Sequence, residues 1–386
     1  GAGLRQLTFA PPDEEERIKR YWHPRYRKSG VYRHHTDDFH PCYLPDGGIC
    51  FASTRCERGV LCAQDDSLSV NVLYRMGGDG SDLHMLSQGA LSESTPTVMN
   101  DGRILYTRWE YVDKGVIAVQ SLWCMRPDGS GSREVYGNEI EFPPVFIHGR
   151  AIPGRSDRFV CTATMHHPFA VGPILLLDTS RDIRTHAPIH SVTPRTSLSI
   201  EGTGGFPRGE NYTHLRNGQW VKDNRGPLFS EPYPLADPRT GQGSGTYFLV
   251  TCNPDQRWNH PTAYGLYLID TFGNRVLIYR DPGMSCWQPV PLRPRFRPPV
   301  LPRDVVDEPT VAAGSAVMSV SDVYAGLPGV PRGSITYLRV LEQVPRPWSA
   351  RRFWPDDTTL GQQAVISMYA HIYVKVLHGI VPVQPD

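Results

Sequence analysis

The feature that most constrains this chain is internal repetition. A four-residue strand recurs as Leu73-Tyr74-Arg75-Met76, Leu122-Trp123-Cys124-Met125, Ile174-Leu175-Leu176-Leu177 and Leu266-Tyr267-Leu268-Ile269, at steps of 49, 52 and 92 residues. Each copy is followed by a turn: Asp79-Gly80, Asp128-Gly129, Ser180-Arg181-Asp182 and Phe272-Gly273-Asn274. A second element precedes it, since residues 40–56 (HPCYLPDGGICFASTRC) align with residues 95–111 (TPTVMNDGRILYTRWEY), each with a Pro, an Asp-Gly turn and then a β-rich run. Asp-Gly supplies the positive φ angles of a tight hairpin. The flanking Ile, Leu, Tyr, Val and Thr suit a pleated, half-buried surface.

A sheet of two or three such strands cannot bury both faces alone, so copies must stack. The repeat length is that of a four-stranded propeller blade. The expectation is an all-β chain: a β-propeller of six to seven blades over 37–292, then a small β-rich domain over 310–386. Residues 1–36 read as an N-terminal arm. The 92-residue step leaves room for an extra blade or a long insertion, and 193–230, rich in Gly, Pro, Ser, Thr and Asn, read as a surface loop. With 36 Pro and 36 Gly in 386 residues, long helices are disfavoured. The Pro/Arg-rich stretch 293–309 can be neither a central strand nor a helix and reads as a linker or a clamp. Beyond it, 314–326 (GSAVMSVSDVYAG), 333–344 (GSITYLRVLEQV) and 369–386 (YAHIYVKVLHGIVPVQPD) read as strands. The start at Gly1-Ala2-Gly3 is compatible with removal of an export signal. The end at Pro385-Asp386, where a hairpin turn would begin, points to a fragment of a longer protein.

The blade pattern, with LYRMGGDGS (73–81) and LWCMRPDGS (122–130), resembles TolB-type propeller repeats. From about residue 37 the chain is similar to the alpha-subunit family of hydrazine synthase. The matching stretches are 51–62 (FASTRCERGVLC), 101–114, 162–167 (TATMHH), 265–282 (GLYLIDTFGNRVLIYRDP), 291–302 (PLRPRFRPPVLP), 322–342 and 378–386 (HGIVPVQPD). The resemblance implies a propeller, a middle domain and a C-terminal region carrying haem c, in a complex that joins nitric oxide and ammonia to make hydrazine. The chain departs from that pattern in having no C-x-x-C-H, so no haem ligand is carried over, and any haem c is expected in a part beyond Asp386. The implied partners are a haem domain or other subunits of a redox complex.

Charge argues against other classes. With 40 basic and 39 acidic residues, the chain has no overall bias toward nucleic acid or an anionic membrane. No apolar run is long enough to cross a bilayer as a helix. There is no G-x-S-x-G, H-E-x-x-H, P-loop or G-x-G-x-x-G, which weakens hydrolase, zincin, NTPase and dehydrogenase readings. Eight cysteines occur, four of them within residues 42–62, without any C-x-x-C. That clustering favours export to the periplasm or a similar oxidising compartment, with Cys56 and Cys62 as a disulfide across a short loop; a thiolate ligand or reactive thiol is the other reading.

Among candidate sites, His166 and His167 end a β run before Pro168. They read either as ligands for zinc or another metal at a blade edge, helped by Cys161 or Cys252, or as hydrogen-bonded loop histidines. Glu110 and Asp113 could share a proton or hold a cation, or be a charged edge paired with Arg108 and Lys114. His34, His35, Asp37, Asp38 and His40 are metal-rich in composition but lack a known ligand spacing. Arg293, Arg295 and Arg297 could meet haem propionates or an acidic partner, or lie along a domain seam. Cys286 reads as a buried small residue, and Asn211-Tyr212-Thr213 matches a glycosylation acceptor. Two functional readings follow. One is the propeller scaffold of a periplasmic haem-containing redox protein. The other is a non-catalytic TolB-like propeller that binds a protein or glycan through loop aromatics such as Trp109, Trp220 and Trp258.

Overall fold

The computed structural model describes residues 3–21, 35–60, 69–110, 119–140, 142–164, 170–193, 213–216, 219–222, 227–255, 260–318, 320–345 and 374–384. Four antiparallel four-stranded meanders follow one another. The first is β1 (Asp38–Tyr43), β2 (Ile49–Ser53), β3 (Val72–Met76) and β4 (His84–Met85). The second is β5 (Glu93–Val98), β6 (Ile104–Trp109), β7 (Gln120–Met125) and β8 (Arg133–Tyr136). The third is β9 (Val145–Ala151), β10 (Arg158–Thr164), β11 (Ile174–Asp178) and β12 (Ile189–Ser191). A hairpin of β13 (Thr213–Arg216) and β14 (Gln219–Lys222) then precedes β15 (Leu228–Ala236), β16 (Gly243–Asn253), β17 (Gly265–Asp270) and β18 (Arg275–Tyr279). The recurring four-residue strand is the third strand of every meander.

The turns form for the reason the sequence suggests. Asp79 Oδ1 accepts from Ser81 N (3.0 Å) and Ser81 Oγ (2.6 Å), and Asp128 Oδ1 from Ser130 N (3.0 Å) and Ser130 Oγ (2.7 Å). These bonds hold both carboxyls below their ordinary range.

Side chains alternate along the middle strands, and each face meets a different neighbour. In β2 and β3, Cys50, Ala52 and Leu73 join Ile104, Tyr106 and Met125 between meanders one and two. Leu105, Leu122 and Cys124 face Phe146, Phe159 and Cys161 between two and three. Val160 and Ile174 face Phe248, Val250 and Tyr267 between three and four. This is blade packing around a common axis, with β1, β5, β9 and β15 innermost. The outer face of the first meander (Phe51, Val72, Tyr74) is covered by Leu7 of the N-terminal arm, which also carries α1 (Glu14–Tyr21), and by Trp109. On the outer face of the fourth, Leu228, Thr251 and Asn253 are fully buried near the axis and Trp287 packs on Tyr264 (4.4 Å), whereas the rim strand is left open among the described residues. All of β18 is exposed, with Val276, Leu277, Ile278 and Tyr279 each more than half accessible.

Three expectations need correction. The described residues hold four blades against the expected six to seven; one of the missing blades is accounted for by the 92-residue step, whose described residues hold one blade and the β13–β14 hairpin. The stretch 193–230 is not all loop: 213–222 contains the β13–β14 hairpin, and Leu228, Phe229 and Ser230 are buried in β15. No strand forms among the described residues of 314–326, which are turns and mostly exposed irregular chain. After the meanders come α2 (Glu308–Ala312) and a hairpin of β19 (Tyr337–Val344) with β20 (Val374–Pro382).

The Pro/Arg-rich stretch is extended and lies across the blades as a strap. Arg293 donates to Ala236 O of the fourth meander (2.9 Å), and Arg297 to Pro45 O of the first (2.6 Å). Pro299 O then lies against Gly102 of the second meander, where φ is +88° and a Cβ would collide with that carbonyl. Arg126 donates to Pro302 O, and Asp128 Oδ2 accepts from Asp304 N (2.6 Å). The strap thus ties the fourth meander to the first and second, where sheet-on-sheet packing does not.

Candidate functional site

The innermost strand of each meander carries one non-glycine residue with positive φ: His40 (52°), Thr95 (52°), His148 (57°) and Glu231 (52°). The next residue is Pro41, Pro96, Gly149 or Pro232. At each, the ladder slips: between Phe39 and Cys42, Ser94 and Thr97, Ser230 and Tyr233, and, opposite His148, between Val160 and Thr162. Such conformations cost on the order of 1–3 kcal/mol each and persist only where their surroundings hold them. A bulge re-aims the side chain that carries it, and Pro sits there without forfeiting a ladder bond.

The bulges are tied from blade to blade. Thr97 Oγ1 donates to Gly149 O (2.7 Å), Thr107 Oγ1 to Phe146 O (3.1 Å), and Glu231 N to Thr162 Oγ1 (3.2 Å). The last two bulges set His148 Nε2 4.0 Å from Glu231 Oε1, with the two side chains 11% and 12% exposed. Ser230 Oγ donates to Ala170 O (2.6 Å), which commits its proton. Its 3.3 Å contact with His148 Nδ1 is therefore assigned as Nδ1–H donating to Oγ. Nε2 then keeps its lone pair, directed at the carboxyl group. Burial pushes the His148 pKa down to about 3, helped by the charges of His40 and Arg150, so the ring is neutral. Burial raises Glu231, against hydrogen bonds from Gln288 N and Thr251 Oγ1 and the nearby charge of Arg150.

Arg150, two residues past the third bulge, stands over the Tyr233 ring at 5.1 Å. Burial lowers its pKa, and its guanidinium makes no hydrogen bond or ion pair among the described residues. Arg295 of the strap adds a second positive charge nearby. His40 lies edge-on to Phe39 (5.0 Å), with a buried Nδ1 that has no hydrogen-bond partner among the described residues, and burial lowers its pKa. A neutral imidazole facing a carboxyl can relay a proton, and a partly buried guanidinium favours an anion. No group of three or more His, Cys, Asp or Glu among the described residues could hold a metal ion.

The sequence candidates fall elsewhere. His166, His167, Asp113, Cys62, His34, Asn211 and Trp258 lie outside the described residues. Glu110 faces Arg108 (Nε–Oε2 3.5 Å). Cys56 is a free thiol whose Sγ donates to Val70 O (3.3 Å), so a Cys56–Cys62 bond has no support there. The described part of the histidine-rich lead-in disperses: His35 O and Asp37 N bond Thr54, Asp38 pairs with Arg55 through two bonds (3.0 and 2.6 Å), and His40 stands on the bulge of the innermost strand. Arg293 and Arg297 bond backbone carbonyls along the strap. Cys286 is partly exposed, and Trp109 packs on the first meander. His148, Arg150 and Glu231 were not among the sequence candidates. Their signal was the three-residue pattern His-Pro-Cys, Thr-Pro-Thr, His-Gly-Arg and Glu-Pro-Tyr, of which only the first two copies align by eye.

No family model and no curated sequence matches the chain. Several solved structures are similar to it in fold. Hydrazine synthase of Kuenenia stuttgartiensis aligns with a TM-score of 0.45 at 15% identity, over 66% of this chain and 30% of that one. A putative TolB from Agrobacterium tumefaciens aligns at 0.30 and 15%, over 40% and 48%. TolB from Acinetobacter baumannii aligns at 0.30 and 10%, over 64% and 44%. The chain spans less than half the length of each.

Proposed function

We propose that the chain is the propeller scaffold of an exported, haem-containing redox protein of the hydrazine synthase alpha-subunit kind, bracing a haem-bearing part of the same assembly. The observation that carries the reading is the open rim of the fourth meander. Among the described residues, β18 presents Val276, Leu277, Ile278 and Tyr279 to solvent at the edge of the sheet. The ordered series of stretches that resemble the family supports the identity of the partner. The residues of this chain do not fit a covalent haem: C-x-x-C-H is absent, and the described cysteines sit in or beside blade cores. Haem c is therefore assigned to the partner part, and the axial cluster to the lining between the two. The test is to isolate the native assembly through this chain and record its visible spectrum. A c-type absorption band in fixed proportion to the chain is the expected result. An assembly with no visible absorption overturns the reading.

A further inference from the structure

Strands β1 and β2 pair so that Cys42 and Cys50 are directly opposite one another, and both are free thiols. Opposed residues of an antiparallel pair project to the same face. Two residues further on, Leu44 N donates to Gly48 O at 2.8 Å, so the alternation makes the cysteine pair a hydrogen-bonded one. Such pairs have a Cα separation of about 5.5 Å, within the range disulfides adopt. The neighbouring Cys42 thiol, together with burial, pushes the Cys50 pKa up. The other described strand cysteines face no cysteine: Cys124 opposes Leu105 and Arg133, Cys161 opposes Leu175, and Cys252 opposes Phe229 and Gly265.

Exposure divides the labour. Cys50 is wholly buried in the core between the first two meanders, whereas Cys42 packs on that core and remains partly exposed. Cys42 also follows the His40 bulge by two residues, so a bond to Cys50 would fasten the first blade's innermost strand beside the axial cluster.

We infer that Cys42 and Cys50 form a redox-active pair that closes to a cross-strand disulfide by exchange with a small or protein-borne disulfide. The Cys42 thiolate attacks the oxidant RSSR, forming Cys42–S–SR and releasing RS⁻. Cys50 then gives up its proton and attacks the Cys42 sulfur, forming the Cys42–Cys50 bond and releasing the second RS⁻. In sum, two thiols and RSSR become one protein disulfide and two RSH. Cβ atoms in hydrogen-bonded pairs lie wider apart than in relaxed disulfides, so the bond is strained and easily reduced.

The test uses the full chain, oxidised with glutathione disulfide, acid-quenched, alkylated after denaturation and digested with trypsin. Cys42 and Cys50 share the tryptic peptide 34–55, whereas Arg58 separates Cys56 from Cys62. The expected product is an unalkylated peptide 34–55, about 2 Da lighter than its reduced form because two hydrogens are lost. Cys50→Ser should trap a glutathione adduct on Cys42, and Cys42→Ser should leave Cys50 unmodified. A wild-type peptide 34–55 alkylated at both cysteines after oxidation overturns the inference, whether or not peptide 56–58 is found linked to 59–75.

Discussion

Replacing His148 with Gln should flatten the acid limb of the stability curve. In the folded chain burial holds the imidazole near a pKa of about 3, against 6.5 for a free imidazole. A base whose pKa is depressed by folding contributes stability that is present above its unfolded pKa and is lost as pH falls from 6.5 toward 3. At one pKa unit per 1.36 kcal/mol, the loss between pH 7 and pH 5 comes to about 2 kcal/mol. The side chain is 11% exposed, so solvent screening is slight. Glu231 acts in the opposite sense. Its raised pKa favours the folded state at low pH, and that contribution fades as pH rises through the folded value. His40 and Arg150, the other charged neighbours, remain in both proteins. Urea unfolding of wild type and H148Q at pH 7 and pH 5 isolates the histidine. The variant should start lower by about 1 kcal/mol for the lost Ser230 bond, then lose about 2 kcal/mol less than wild type on acidification. Equal losses in the two proteins would refute the assignment of a buried neutral imidazole.

Gly102→Ala should lower Tm and expose the strap, because φ is +88° and the new Cβ meets Pro299 O. The conformational cost alone is about 1–2 kcal/mol, and trypsin should cut faster after Arg295; unchanged cleavage would count against the strap. Phe146, fully buried and edge-on to Tyr136 at 5.2 Å, should cost about 3–5 kcal/mol as Ala in chemical denaturation. Ile278→Lys on exposed β18 should change stability by less than about 0.5 kcal/mol yet weaken co-purification with the haem-bearing partner.

The parts of the fold written into local chemistry were legible. Asp-Gly turns and apolar tetrads mark the third strands directly, because a hairpin turn and a buried strand are each specified by a few adjacent residues. Blade number was not legible, since one insertion and one blade together have the length of two blades. The axial site was harder still. His148 and Glu231 come from strands 83 positions apart and acquire meaning only when two bulges turn them toward each other. Glu231 also directly follows the stretch 193–230 that reads as loop until Phe229 and Ser230 are found buried. The Cys42–Cys50 pairing depends on register. A glance at spacing favours Cys56 with Cys62, whereas the β1–β2 hairpin sets Cys42 against Cys50.

The most direct test of the scaffold account is hydrogen exchange in the 275–279 strand, compared between the isolated chain and the native assembly. Its outer edge and side chains are exposed in the chain alone, so the account predicts rapid exchange there and marked slowing in the assembly, with the β9 and β10 amides protected in both. Equally rapid exchange of 275–279 in the assembly would contradict it, because the open rim strand would then have no partner.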